Sequence, residues 1–321
     1  MERNAVRILF AGNPSISVPS LKALAQVFQV VGVLTNPDRP TGRGKHLEAP
    51  AVKVAAEELG LPVLQYEHLL QKARTEIAAL HPDILVSFAC GHYFGPKFLA
   101  LFPLAAINIH PSLLPHYRGC APIQCALLNG EPRTGITIQR IAPEMDTGSI
   151  LDCRIIELDG TETSVSLTDT VAELSAGMIV STIQRLCAGT LQECAQDTSG
   201  VSYSTRLGKQ DGVIDWHRQV RVIHSMVRAF QLWPKTTTSL KGVPLTITSV
   251  HGPLDQAGLE PVPPGVLPGT VVEFVKGKGL AIACGDGLLY VDRLQLAMKK
   301  ELDSASFING NPGILGAVLG D

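Results

Sequence analysis

Two residues of one short run can do chemistry together. In INIHPSLLPHYRG (107–119) apolar and polar residues alternate, and then prolines break the pattern. Side chains two apart on a strand point the same way, so Asn108 and His110 share one face while Ile107 and Ile109 occupy the other. Pro111 ends the strand and leaves His110 at its lip. A third group lies in IAPEMDTGSIL (141–151), where Asp146 sits in a glycine-containing turn between two strand-like runs. If the fold brings it to His110, an amide, an imidazole and a carboxylate converge, a set suited to acyl transfer to an amine. The amide can donate to a developing oxyanion, and the imidazole and carboxylate can manage protons. No serine or cysteine nucleophile is required if the attacking amine belongs to the substrate. The plain alternative is that Asn108 and His110 satisfy loop carbonyls and that Asp146 is an ordinary turn residue.

These residues need a scaffold that ends a strand beside a turn. Strand-like runs AVRILFAG (5–12), VVGVLT (30–35), DILVSFA (83–89) and AAINIH (105–110) are separated by VPSLKALAQVF (18–28), APAVKVAAEELG (49–60) and EHLLQKARTEIAALH (67–81), whose apolar residues fall at helical spacing. Such alternation predicts an α/β fold with a mostly parallel sheet, and ligands in such sheets lie at the carboxyl ends of the strands. Gly12, Thr35, Cys90 and His110 should stand there. Pro122 and Gly130 bracket a short helix, TGITIQRI (134–141) and SILDCRII (149–156) read as two further strands, and a long helix follows from about 166 to 188.

The stretch that follows is polar and weakly periodic, as a linker would be. Beyond it DWHRQVRVIHSMVRAF (215–230) reads as one helix, and PLTITSV, GTVVEFV, GLAIACG and GLLYVDRL (244–294) are strands without intervening helices. A small antiparallel OB-like β-barrel is expected there. The division is therefore 1–190 for the first domain, 191–208 for a linker and 209–321 for the second.

Composition narrows the class without naming it. The 321 residues are 45% hydrophobic and 17% charged, an ordinary globular balance. A net charge of −2 argues against general coating of nucleic acid. The charge is mildly split, with 15 basic against 19 acidic side chains before Arg206 and 12 against 10 from it onward. Seven cysteines without a CxxC pair favour neither a disulfide scaffold nor a zinc ribbon, so a reducing cytoplasm is the expected compartment. No leader peptide, membrane segment or metal cluster is expected. The first βα turn, FAGNPSISVPSL (10–21), has one glycine where a dinucleotide fingerprint needs three, so a nicotinamide cofactor is disfavoured.

INIHPSLLPHYRGCAPIQCALLNGE (107–131) followed by TGITIQRIAPEMDTGSIL (134–151) resembles the folate-dependent formyltransferases, whose shared signature is Asn-x-His-x-Ser-Leu-Leu-Pro-x-x-Arg-Gly with a later Asp-x-Gly. TNPDRPTGRGK (35–45), YSTRLGKQDGVIDW (203–216) and VRAFQLWP (227–234) are similar to the branch that formylates methionyl-tRNA. The resemblance implies a Rossmann-like catalytic domain, an OB-like tRNA-binding domain, and transfer of a formyl group from 10-formyltetrahydrofolate to the α-amine of initiator methionyl-tRNA by a monomer. It carries over Asn108, His110 and Asp146 as the catalytic set, with Asn108 and a protonated His110 on the oxyanion. Which of His110 and Asp146 takes the amine proton is left open. Ser112, Leu113, Leu114, Pro115, Arg118 and Gly119 fall on its substrate and folate loop, and Arg39, Arg43 and Lys45 on its tRNA loop. Arg206, Lys209, Arg218, Arg221 and Arg228 read equally well as phosphate contacts and as solvated surface. Where relatives carry an apolar-Tyr-Gly-x-Ile/Leu-Pro wall of the folate pocket, this chain has ACGHYFGP (89–96). Rival readings are a formyltransferase for an amino-sugar or glycinamide nucleotide, a formyl-folate hydrolase, and an inactive tRNA-binding protein.

Overall fold

In the computed structural model, residues 4–41, 46–252 and 259–321 are described. They cluster into two compact units, one of residues 1–119, 134–156 and 168–203, the other of 120–133, 157–167 and 204–321.

The first unit is built on a seven-stranded sheet. Its strands are Asn4–Gly12 (β1), Phe28–Thr35 (β2), Val63–Gln65 (β5), Ile84–Phe88 (β6), Ala105–His110 (β7), Arg133–Arg140 (β9) and Ile150–Glu157 (β10), in the order β10-β9-β7-β6-β1-β2-β5. The five strands from β5 to β7 run parallel, whereas β9 pairs antiparallel with β7. Helices Val18–Val27 (α1), Ala51–Glu58 (α2), Gln71–Ala78 (α3) and Pro96–Leu99 (α4) make the crossovers that parallel pairing requires. Two small two-stranded sheets complete the strand set here: Arg39–Thr41 (β3) with His46–Glu48 (β4), and Arg118–Gly119 (β8) with the distant Tyr203–Ser204 (β11). Strand β1 is buried from Ile8 to Gly12 and β6 along its whole length, both mostly apolar there, as a sheet covered on both faces demands. Strand β7 differs, since Ile107 and Ile109 are buried while Asn108 between them is half-buried. Gly12, Thr35 and His110 end their strands, and Cys90 lies two residues past β6.

The second unit contains the helix Pro122–Leu128 (α5). The long helix Ser164–Cys187 (α6) begins in this unit and continues in the first. The helix Val220–Ala229 (α7) is shorter than the expected 215–230. Asp215 accepts the backbone N–H of His217 at 3.0 Å and its carbonyl accepts that of Arg218 at 3.1 Å, which closes a turn instead. Helix α7 starts where the carboxylate of Asp286 accepts the Val220 N–H at 2.7 Å. Strands Thr236–Leu240 (β12), Val243–Val250 (β13), Val271–Val275 (β14), Gly279–Ala283 (β15), Leu288–Leu296 (β16) and Leu302–Asp303 (β17) form an antiparallel sheet in the order β12-β13-β16-β15-β14, with β17 on β16 and the helix Ser304–Gly310 (α8) after it. Val318 and Leu319 bridge to Thr270 and Leu240, joining the two edges and closing the sheet into a barrel. Trp216, Ile223, Val227, Leu245, Leu280 and Phe307 are among the buried residues of its core.

One glycine governs the turn that carries Asp146. A Cβ on Gly148 would lie 1.8 Å from the carbonyl oxygen of Arg140, an approach no side chain tolerates. The backbone N–H of Arg140 is donated to the carbonyl of Ser149 at 2.9 Å, so the turn is pressed against the end of β9. Gly148→Ala is expected to lower unfolding stability by at least about 2 kcal/mol and to reduce any activity that depends on Asp146. Denaturant unfolding checks the first effect, and an unchanged midpoint would refute this account of the turn.

Candidate active site

The geometry starts from the ends of β7 and β9. Their antiparallel register sets Asn108 opposite Gln139 and His110 opposite Thr137. Asp146 comes round on the turn after β9, with a backbone φ of 56°, a left-handed conformation that aspartate tolerates better than most residues. Its Oδ2 lies 3.6 Å from His110 Nδ1 and accepts the Gly119 N–H at 2.8 Å. Its Oδ1 accepts from Gln139 Nε2 at 2.8 Å and from Asn108 Nδ2 at 3.5 Å. Asn108, His110 and Asp146 are thus brought together, although Asp146 stands 38 residues beyond Asn108.

His110 is nearly sealed, its side chain 5% exposed against 11% for Asp146. Its Nε2 bonds the Tyr117 carbonyl at 2.9 Å, which fixes the proton on that nitrogen when the ring is neutral. Burial pushes the imidazole below its ordinary value of 6.5, and the Asp146 charge and the Tyr117 carbonyl pull it partway back. Desolvation is the largest influence on it, so the resting ring favours the neutral form at pH 7.

The loop after His110 is held by hydrogen bonds from its own Ser112 and from Thr137 of β9 to its backbone. Ser112 Oγ donates to the His116 carbonyl at 2.6 Å, and Thr137 Oγ1 donates to the Ser112 carbonyl at 2.7 Å while accepting the Leu114 N–H at 3.1 Å. Leu114 is buried and joined to Pro115 by a cis peptide bond, Pro115 accepts the Ser202 N–H at 3.3 Å, and Leu113 packs over Gly135. The buried Arg118 donates to Gln196 Oε1 from Nε at 3.2 Å and from Nη2 at 2.7 Å. Gln139 and Gln196 therefore belong to the site, although neither was singled out from sequence. The register opposite Asn108 would have pointed to Gln139, but only once β9 was known to pair with β7.

The segment 89–96 walls an open cleft of about 830 Å³, whose other lining residues include Asn36, Arg39, Glu67, Arg74 and Lys97. Cys90 turns into the core, where burial pushes its thiol up to about 12, and Tyr93 is 75% exposed. Arg39 is exposed and reaches Glu67 at 3.4 Å, while Arg43 and Lys45 lie outside the described residues. Arg206, Lys209, Arg218 and Arg221 are exposed, and Arg228 is half-buried, donating to the Glu162 carbonyl at 3.1 Å. Among the described residues no group of three or more His, Cys, Asp or Glu side chains is arranged to hold a metal ion, and no helix is long and apolar enough to cross a membrane.

Residues 6–183 match the model of the formyl transferase domain, and residues 206–312 that of the formyl transferase C-terminal domain. A methionyl-tRNA formyltransferase of Roseiflexus castenholzii is 40% identical over 95% of this chain and 96% of its own, and one of Treponema denticola is 38% identical over 97% and 98%. Among solved structures, the sugar 3N-formyl transferase WlaRD, crystallised in the presence of dTDP and 5-N-formyl-THF, superposes with a TM-score of 0.63 at 18% identity, covering 92% of this chain and all of that one. That likeness is one of fold. The two matched domains and the identity carried over nearly the whole length establish that this chain belongs to the formyl transferase family, enzymes of formyl transfer that use a folate co-substrate.

Proposed function

We propose that this protein transfers a formyl group from 10-formyltetrahydrofolate to the α-amine of the methionine on initiator tRNA. The observation that carries the reading is the meeting of Asn108, His110 and Asp146 at the end of β7, within 3.5 to 3.6 Å of one another through Asp146. Relatives named as methionyl-tRNA formyltransferases at 37–40% identity over nearly the full chain support the choice of acceptor. In this reading 1–190 is the catalytic domain, 191–208 the linker and 209–321 the tRNA-binding domain. The cleft faced by Tyr93 and Lys97 receives the folate, and Arg39, Arg43 and Lys45 meet the acceptor end of the tRNA. Arginine suits that role, since its planar fork pairs with phosphate and stacks on bases.

The amine nitrogen attacks the formyl carbon and its carbonyl oxygen becomes an oxyanion beside Asn108 Nδ2, which donates to it. The attacking amine loses a proton to the His110–Asp146 pair. A neutral imidazole is the right resting state for that step, and the charge it then gains is balanced by Asp146. The bond from carbon to N10 breaks as N10 receives a proton, leaving tetrahydrofolate and the formylated amine.

The purified protein, given 10-formyltetrahydrofolate with methionyl initiator tRNA, an amino-sugar nucleotide or water alone, should formylate the tRNA. Formylation of the sugar in preference to the tRNA would overturn the reading. Asn108→Ala should reduce turnover about 10²- to 10³-fold with unchanged thermal unfolding, because it removes one oxyanion donor. Since burial depresses the His110 pKa, the neutral ring persists below pH 6.5, and kcat/KM should fall on the acid side only below that value. Asp146→Asn removes a charge that raises this pKa, so the residual activity of that variant should have its acid limb at still lower pH. A limb displaced upward in rate-against-pH measurements would contradict the assignment.

A further inference from the structure

A carboxamide can present either end to a partner, so two adjacent glutamines need an outside reference to fix which way each points. Arg118 supplies one, because a guanidinium only donates. Its Nε and Nη2 take Gln196 Oε1, which turns Gln196 Nε2 toward acceptors: the carbonyls of Asp146 at 2.9 Å and Gly148 at 2.8 Å, and Gln139 Oε1 at 3.2 Å. With its oxygen engaged there, Gln139 has its Nε2 left for Asp146 Oδ1 at 2.8 Å. Every bond from Arg118 through Gln196 and Gln139 to Asp146 donates in the same direction, from a fixed cation to a carboxylate.

We propose that this one-way chain positions Asp146 for formyl transfer and that Gln196, at its centre, is a positioning residue of the active site. The proposal rests on the reading of Asp146 as catalytic. Gln139 sets the rotation of the carboxylate by taking Oδ1, while Gln196 holds the left-handed backbone of the same residue through its carbonyl. Gln196 comes from a segment whose polar sequence reads as linker, but the backbone there is tied at both ends. Cys194 exchanges two backbone bonds with Ile150, at 2.7 and 2.9 Å. Ser202 accepts the Arg118 N–H at its carbonyl and the Tyr117 N–H at its hydroxyl, both at 2.9 Å. The segment is a strap across the catalytic loop, and Gln196 is its inward-facing side chain.

The test is a double-mutant cycle read in steady-state kinetics on the full chain. Gln196→Leu and Gln139→Met should each lower kcat about tenfold to a hundredfold, the loss expected for a hydrogen bond to a charged group or its direct support. The KM for the formyl donor should stay within about twofold, since ground-state binding is untouched. In an Asp146→Asn background the same substitutions should cost less than about twofold more, because the group they position is gone. Gln196→Glu keeps the pairing with Arg118 and removes the amide donors, so it should be as slow as Gln196→Leu while unfolding near the parent temperature. Full losses in both backgrounds, or normal kcat in Gln196→Glu, would overturn the proposal. Near-normal kcat in Asp146→Asn alone would instead remove the catalytic reading, and the relay with it.

Discussion

The carboxylate of Asp146 is the point on which the site depends. It must face a buried imidazole from a turn whose backbone is left-handed, and a carboxylate on such a turn has no reason of its own to hold one rotation. Both its oxygens are accordingly engaged, one by the Gly119 N–H and one by Gln139. The desolvation that keeps His110 neutral would be a pure cost without a countercharge at hand, and Asp146 provides it at 3.6 Å. Burial and charge thus oppose each other at His110, burial favouring the neutral ring and Asp146 the charged one, with burial the larger influence.

Strand β9 does more than extend the sheet. Because it runs antiparallel to β7, the residues opposite Asn108 and His110 are its own inward-facing polar side chains. Gln139 serves the Asp146 turn, and Thr137 serves the loop through Ser112 and Leu114. One strand therefore holds both the Asp146 turn and the loop after His110, and it runs into the turn fixed by Gly148.

Much of this was legible in the sequence because it rests on local periodicity. Alternation in 105–110 disclosed the face shared by Asn108 and His110, and the strand-helix order disclosed the parallel sheet. The family signature joined Asp146 to them, which no local pattern could do across 38 residues. What escaped was whatever depends on partners far along the chain. Gln139 reads as an ordinary polar residue of a strand, and Gln196 as one more polar residue among glycine, serine and threonine. The helix expected from 215 starts at Val220, because the side chain of Asp215 competes for the backbone N–H of His217 and the cap comes from Asp286.

The strap also implies an order of assembly during synthesis. All seven strands of the first sheet are complete once residue 157 has emerged, so the hydrophobic collapse that builds it can precede the rest. Gln196 and Ser202 arrive some forty residues later, after the whole of α6. A nascent chain paused between those points would have every strand of the sheet, with Asn108 and His110 at the carboxyl end of β7, but an Asp146 turn still lacking its fastening. In chain order, every strand of this enzyme's first sheet is made before the segment that fastens its candidate active site.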